Sequence, residues 1–344
     1  MTAGNEKVES PLVTVLLSVY NGERFLRESV ESILGQTFTD FEFLIVDDAS
    51  TDSTALILTE YAGRESRIRL VHNPGNLGLT RSLNRGLALA AGKYVARQDA
   101  DDVSLPERLQ RQVEFLEEHE DIAVLGTCLE IIDEEGKLLA TRRLATESDE
   151  IEAELLLKNN ALLHTSVAIR KSALLETGGY DERIQFAQDY ELWWRVSKKW
   201  KLANLPEVLV KWRESSQRIS SVHRRQQLNS MFETSLKIVS ERTGGKAPAR
   251  QAYEKFWWAY HGYLDEFDSE DIKALTSLWD EVYRADRKME LTRSGMRQMA
   301  FNLIDHRRIG TGLALLRLIR ERSGERPRYK TIVRHILKAF ISSR

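Results

Sequence analysis

Residues 94–103 read Tyr94-Val95-Ala96-Arg97-Gln98-Asp99-Ala100-Asp101-Asp102-Val103, an apolar run of strand character that ends in three closely spaced carboxylates. Carboxylates crowded at a strand end repel one another unless a cation joins them. A strand sends alternate side chains to one face, so a strand over 93–99 predicts Asp99 and Asp101 pointing into one crevice while Ala100 turns back toward the sheet. Oxygen-only ligands of this kind suit Mg²⁺ or Mn²⁺, which are usually shared with substrate phosphates rather than caged by protein. The same residues also fit a solvated acidic turn before the next helix.

Working outward, apolar runs of strand character alternate with segments of helical period from Leu12 to Asp99. This is the pattern of a parallel sheet covered by helices. Strands are predicted at 12–19, 41–48, 68–71 and 93–99, with helices near 24–34, 53–61 and 80–91. Each strand is rich in Val, Ile, Leu or Phe, as expected when both faces are covered. Gly92 reads as the stop of the third helix. Ser104-Leu105-Pro106-Glu107 reads as a capping box that starts a helix running to about His119. Tyr20, Asp48 and Asp99 then fall at the carboxyl ends of strands, where open α/β sheets bind ligands.

Further along, a strand to Ile132, a turn at 134–137, a helix near 148–158 and a strand at 165–170 are expected. Gly178-Gly179 breaks the chain, and a helix should begin around Asp189. From about Val222 the pattern is helical only. The expected organisation is a catalytic domain over 10–221 and a helical C-terminal region over 222–344.

The 344-residue chain can bury a substantial core. Fifty basic against fifty-two acidic residues leave a net charge of −2, which gives no electrostatic argument for nucleic acid. The single cysteine, Cys128, lies in an apolar run and reads as a buried thiol in a reducing compartment. No apolar signal-type segment opens the chain and no stretch of eighteen uncharged apolar residues occurs, so a cytoplasmic protein without membrane-spanning helices is expected.

Ser18-Val19-Tyr20-Asn21-Gly22, after the first strand, lacks the G-x-G-x-x-G of dinucleotide sites, and G-x-x-x-x-G-K-[ST] is absent throughout. Phosphate binding must therefore come from a metal and a few side chains. Tyr20 offers a ring face to a base, and Asp48 offers acceptors to ring N–H or ribose groups. A packed tyrosine and a helix-capping aspartate are the structural alternatives.

Several separated motifs occur in one order: Ser18-Val19-Tyr20-Asn21, Gln36-Thr37, Val46-Asp47-Asp48-Ala49-Ser50-Thr51-Asp52, Asn76-Leu77-Gly78-Leu79, Asp99-Ala100-Asp101, Gly178-Gly179-Tyr180-Asp181 and Gln188-Asp189. Over roughly residues 10–215 the chain resembles family 2 glycosyltransferases. The resemblance implies a GT-A fold, a mixed and mainly parallel α/β sheet sandwiched by helices, here with an all-helical C-terminal extension. It also implies a nucleotide-sugar donor and a saccharide or lipid-linked acceptor in cell-surface polysaccharide or glycolipid assembly. Ser18, Tyr20, Asp48 and Arg81 would line the nucleotide, with uridine favoured because Asp48 can accept from a pyrimidine N3–H. Asp99 would lie on the ribose side, beside the metal that Asp101 holds against the diphosphate. Asp189 is nominated as the base of an inverting transfer, which needs one carboxylate facing the acceptor hydroxyl opposite the leaving group. The chain departs from the family in having Gln188 where Glu is usual before the base, and Lys211-Trp212-Arg213-Glu214 in place of Tyr-Arg-x-His. The Gln-x-x-Arg-Trp of processive synthases is absent, which favours single additions.

Two other classes compete. Asp99-Ala100-Asp101-Asp102-Val103 fits the D-x-D-x-[TV] of haloacid-dehalogenase-like phosphohydrolases, with Asp99 as nucleophile, although that motif belongs after the first strand of its domain. A non-catalytic sugar-binding protein on the same fold is the other. Residues 307–344 carry eleven basic and two acidic residues interleaved with apolar ones and read as two basic amphipathic helices. Such helices suit packing on the domain or peripheral contact with an anionic membrane at the inner face of the cell membrane.

Overall fold

The computed structural model describes residues 10–157, 160–215, 223–244, 250–260 and Leu316. The basic helices expected over 307–344 lie outside the described residues. The first strands form where the sequence places uninterrupted β-branched and large apolar residues: β1 (Val13–Val19), β2 (Phe41–Asp47), β3 (Ile68–His72) and β4 (Tyr94–Gln98). All seven residues of β1 are buried, as both faces of a central parallel strand must be. Helices α1 (Leu26–Leu34), α2 (Thr54–Arg64) and α3 (Leu79–Leu89) connect them.

Beyond β4 come a short β5 (Val103–Ser104), α4 (Arg108–Glu118), the long β6 (Ile122–Ile132), an exposed β7 (Leu138–Arg142) and α5 (Ser148–Leu157). A 3₁₀ turn (His164–Ser166), β8 (Ala168–Arg170), α6 (Lys171–Thr177), α7 (Gln188–Ser197) and β9 (Lys201–Arg213) follow. The last described helices are α8 (Arg224–Arg242) and α9 (Arg250–Tyr260).

The nine strands form one sheet in the order β3-β2-β1-β4-β8-β6-β9-β5, with β7 on β6. The chain steps outward from β1 through β2 to β3, then returns to place β4 on the other side of β1, all in parallel. That reversal opens a crevice outside the carboxyl ends of β1 and β4, the switch point at which such sheets bind ligands. Beyond β4 the sheet is mixed, with β8 antiparallel to both β4 and β6, and β9 parallel to β6.

Three local expectations differ from the structure. The strand that carries the acidic run ends at Gln98, and residues 99–102 form a turn closed by the Asp102 N–H on the Asp99 carbonyl at 3.4 Å. Strand alternation therefore does not set the directions of Asp99 and Asp101. Ser104 caps no helix: it ends β5, and its hydroxyl donates to Gln98 Oε1 at 2.8 Å. Gly92 lies past the end of α3, and its role is close approach. A Cβ there would stand 2.4 Å from the Thr14 nitrogen and 2.7 Å from the Val13 carbonyl carbon, both backbone atoms that cannot give way.

The chain divides into two compact units, residues 1–152 with 160–230, and residues 153–159 with 231–344. The first contains the sheet. Among the described residues of the second, Phe232 stacks near Tyr253 and Trp257, the Ser235 and Tyr253 hydroxyls are 2.6 Å apart, and Trp257 is fully buried. Trp257 thus serves helix packing.

Candidate active site

The loops after β1 and β2 are tied together by the residues that carry the first motifs. Asn21 adopts a left-handed backbone (φ 52°), and its side-chain oxygen accepts from the Thr51 N–H at 2.8 Å. Its own N–H donates to Ser50 Oγ at 3.0 Å, and Asp47 Oδ1 accepts from the Ser50 N–H at 3.0 Å. Ser18 is buried at the end of β1, while Tyr20, just beyond, is 49% exposed. A half-exposed ring at a switch point is free to take a planar ligand.

Asp48 is nearly inaccessible. Its Oδ1 accepts from Asn73 Nδ2 at 2.6 Å and from the Leu77 N–H at 2.8 Å, and its Oδ2 accepts from the Gly78 N–H at 2.8 Å. These bonds fold residues 73–78 back over the end of β2 and aim the start of α3. Arg81, in the first turn of α3, is largely exposed, with Nε 3.4 Å from Glu182 Oε2. The structure therefore brings Ser18, Tyr20 and Arg81 to the carboxyl end of the sheet and places Asp48 beneath them as the anchor of a loop.

The acidic turn is held rigidly by its own chain. The buried Arg97 donates through Nη2 to Asp99 Oδ1 at 2.5 Å and through Nη1 to the Leu16 carbonyl at 3.1 Å. Gln98 Nε2 donates to the Asp102 carbonyl at 2.8 Å, and Ser29 Oγ donates to the Asp99 carbonyl at 2.7 Å. From the end of β9, Arg213 donates its backbone N–H to Asp102 Oδ1 at 2.8 Å and Nε to the Asp101 carbonyl at 2.9 Å. Its remaining nitrogens reach the Asp133 carbonyl at 3.1 Å and Glu28 Oε2 at 2.5 Å. Asp102, fully buried, is structural, whereas Asp99 and Asp101 are only partly buried.

Asp189 is the second residue of α7. Its Oδ1 accepts from the Tyr190 N–H at 2.9 Å, and its Oδ2 accepts from Asn160 Nδ2. Burial pushes the Asp189 carboxyl up to about 6; the bonds from Tyr190 and Asn160 oppose that rise, and the nearby Asp99 charge adds to it. The turn that leads toward α7 is pinned on two sides. Asn84 on α3 exchanges hydrogen bonds with the Tyr180 backbone at 2.9 Å in each direction, and Arg195 Nη2 donates to the Gly179 carbonyl at 2.7 Å. Gly178 and Gly179 both have positive φ, which the turn requires.

His164 links these parts. The neighbouring Thr165 Oγ1 accepts from the Asp99 N–H at 3.3 Å, and His164 Nε2 lies 2.7 Å from the Tyr180 hydroxyl. Burial, helped by the Arg97 charge, pushes the imidazole down to about 3, so it is neutral at physiological pH. Because the folded value lies below the unfolded one of about 6.5, this stabilisation is fully present above pH 6.5 and is lost as pH falls toward 3. Replacing His164 by Gln, which keeps a partner for Tyr180, is expected to flatten the acid dependence. Between pH 7 and 4.5 the wild type should lose on the order of 2 kcal/mol more stability than the variant in urea titrations. Parallel pH profiles for the two proteins would contradict this.

A divalent cation shared with a diphosphate needs only one or two protein carboxylates. Among the described residues no group of three or more His, Cys, Asp or Glu forms a cage for a metal. The turn nevertheless supplies oxygen donors on a pre-set backbone, and Asp101, with the Asp99 oxygen other than the Oδ1 that Arg97 holds, is the donor set that would hold a cation shared with phosphates.

The model of "Glycosyl transferase family 2" matches residues 14–178. An uncharacterized glycosyltransferase of Haemophilus influenzae is 32% identical over 306 residues, covering 85% of this chain and 87% of its own. The chain belongs to glycosyl transferase family 2. A putative glycosyltransferase of Bacillus subtilis, EpsE, is 40% identical over 210 residues, covering 60% of this chain and 74% of its own. Among solved structures, S. aureus TarS 1-349 in complex with UDP-GlcNAc matches with a TM-score of 0.58 at 17% identity, over 91% of this chain and 92% of that one. The fold of this family 2 glycosyltransferase is thus GT-A, as the motifs implied. The protein is a glycosyltransferase, and the phosphohydrolase and non-catalytic readings fall. In keeping with this, the D-x-D lies after the fourth strand of its sheet rather than the first.

Sequence reasoning missed three residues of this family 2 glycosyltransferase's site: Arg97, Arg213 and Asn160. Arg97 lies near the end of β4 and Arg213 ends β9, both almost completely buried, and an arginine in a buried strand is itself a signal of a buried partner.

Proposed function

We propose that this glycosyltransferase is inverting and metal-dependent, transferring a hexosyl group from a nucleotide-diphosphate sugar, preferably a UDP-sugar, to a hydroxyl of a saccharide or lipid-linked saccharide. Cell-surface polysaccharide or glycolipid synthesis is the setting. The catalytic domain is taken as 10–221 and the helical region as 222–344. The observation that carries this reading is Asp189: a carboxylate at the start of α7 held by N–H donors from Tyr190 and Asn160, which burial pushes upward in pKa as a general base requires.

In the step proposed, the acceptor oxygen forms a bond to the anomeric carbon as Asp189 takes its proton. The bond from that carbon to the diphosphate oxygen breaks, and the nucleoside diphosphate leaves with the electron pair. Attack opposite the leaving group inverts the anomeric centre. Tyr20 stacks on the base, Ser18, Asp48 and Arg81 line the nucleotide, with Asp48 also setting the loop around it, and Asp99 faces the ribose. A divalent cation, Mn²⁺ or Mg²⁺, held by Asp101 with Asp99 beside it, would neutralise charge developing on the diphosphate. The UDP-GlcNAc bound by TarS supports a uridine donor.

Calorimetric titration with UDP, GDP, dTDP and CMP, with and without Mn²⁺, tests the donor site. Metal-dependent binding of UDP is expected. Binding of none of the four, or binding indifferent to metal, would overturn the reading.

A further inference from the structure

The partner that holds the base is not its neighbour in sequence. Gln188 precedes Asp189, yet its side chain is buried and its Oε1 has no hydrogen-bond partner among the described residues. The partner is Asn160, 29 positions earlier, between α5 and the 3₁₀ turn. Its Nδ2 donates to Asp189 Oδ2, while the Tyr190 N–H donates to Oδ1 at 2.9 Å. Both carboxylate oxygens thus receive N–H donors from the protein, and the plane of the carboxylate is fixed.

An amide beside a carboxylate can present N–H or C=O, and only the N–H suits an ionised partner. The orientation found leaves Asn160 Oδ1 buried without a hydrogen-bond partner among the described residues. Stranding a buried acceptor is unfavourable, and a residue retained only for packing has no need to incur it. Resting on the reading of Asp189 as base, we infer that Asn160 is its positioning residue, orienting the carboxylate toward the acceptor hydroxyl and favouring its ionised, proton-accepting form.

The charged and titratable groups around Asp189 leave Asn160 as the side chain that acts in this direction. From the turn after β4, Asp99 opposes ionisation. Tyr180 is kept a neutral phenol by burial, and His164 beside it is neutral. Arg97 is paired with Asp99, and on α7 itself Glu191 is paired with Arg195 at 2.7 Å.

The test uses the full chain labelled with aspartate carrying ¹³C in its side-chain carboxyl. The Asp189 resonance is identified by its loss in Asp189→Asn and titrated in wild type, Asn160→Leu and Asn160→Asp. The wild-type midpoint is expected at about 6. Removing the N–H in Asn160→Leu should raise it by about one pH unit. Asn160→Asp has nearly the shape of the native residue, and its second carboxylate should raise the midpoint further. Midpoints unchanged in both variants overturn the inference. UDP release from a panel of UDP-sugars separates the two claims. Wild-type turnover by Asp189→Asn removes the base reading, whereas an inactive Asp189→Asn with unmoved midpoints in the Asn160 variants removes only the role of Asn160.

Discussion

Asp189→Asn is expected to lose sugar transfer by about 10²- to 10⁴-fold, the usual contribution of a positioned general base, while binding of the nucleoside diphosphate stays as in wild type. The same substitution should make the protein more stable at neutral pH. Burial pushes the folded Asp189 carboxyl up to about 6, above the ordinary aspartate value of about 3.9. Ionising it therefore weakens the fold: the loss is absent below about pH 4, grows between 4 and 6, and is complete above about 6. Asparagine keeps the shape and removes the charge. At pH 7.5 the gain should be on the order of 2 kcal/mol, several degrees in melting temperature, and it should vanish at pH 4. Scanning calorimetry at the two pH values, with the transfer rate on a UDP-sugar, checks both halves. Transfer near the wild-type rate would remove Asp189 as the base. Equal melting temperatures at pH 7.5 would mean that the carboxyl is not destabilised by its surroundings.

Asp101→Asn should have the second large effect, on binding rather than on the chemical step. Its backbone is fixed by Arg213, so the amide should occupy the same place without the charge. Metal stabilisation of a diphosphate is worth several kcal/mol, so Mn²⁺-dependent UDP affinity should fall by about 10² to 10³ while the weak metal-independent component persists. Asp102 cannot substitute, because it is fully buried and one of its oxygens receives the Arg213 N–H. Calorimetry with and without Mn²⁺ reads the difference. If Asp101→Asn retains wild-type Mn²⁺ dependence, the metal reading of this turn is wrong.

The sheet was legible in the sequence where burial is two-sided. In β1, β2 and β4 nearly every residue is buried, so the apolar runs are unbroken and their ends are marked by polar residues. β9 was not legible. Pro206 and Glu207 interrupt it where its register against β6 skips from Leu205 to Val208, and a strand with a bulge has no simple period. Asp189 was found through the family motif. Asn160 was invisible because its partner lies 29 residues away across a loop whose path no local pattern specifies. Asp48 was legible as a strand-end carboxylate, but its second task was not: its oxygens accept from Asn73, Leu77 and Gly78 and so anchor the loop over the end of β2.

The clamp on the acidic turn also bears on the order in which the protein becomes active during synthesis. β5, which leads out of that turn, pairs among the described strands with β9 alone, and Arg213 reaches Asp101 and Asp102 from more than a hundred residues downstream. A nascent chain that has emerged only as far as α7 already contains every motif residue, yet it lacks the strand that fastens them. Such a fragment would hold the turn through Arg97, Gln98 and Ser29 but without the Arg213 clamp, and would grip donor sugar less firmly. Full competence to bind the donor would then arrive late and together with the completed sheet, so that incomplete products of translation hold it weakly.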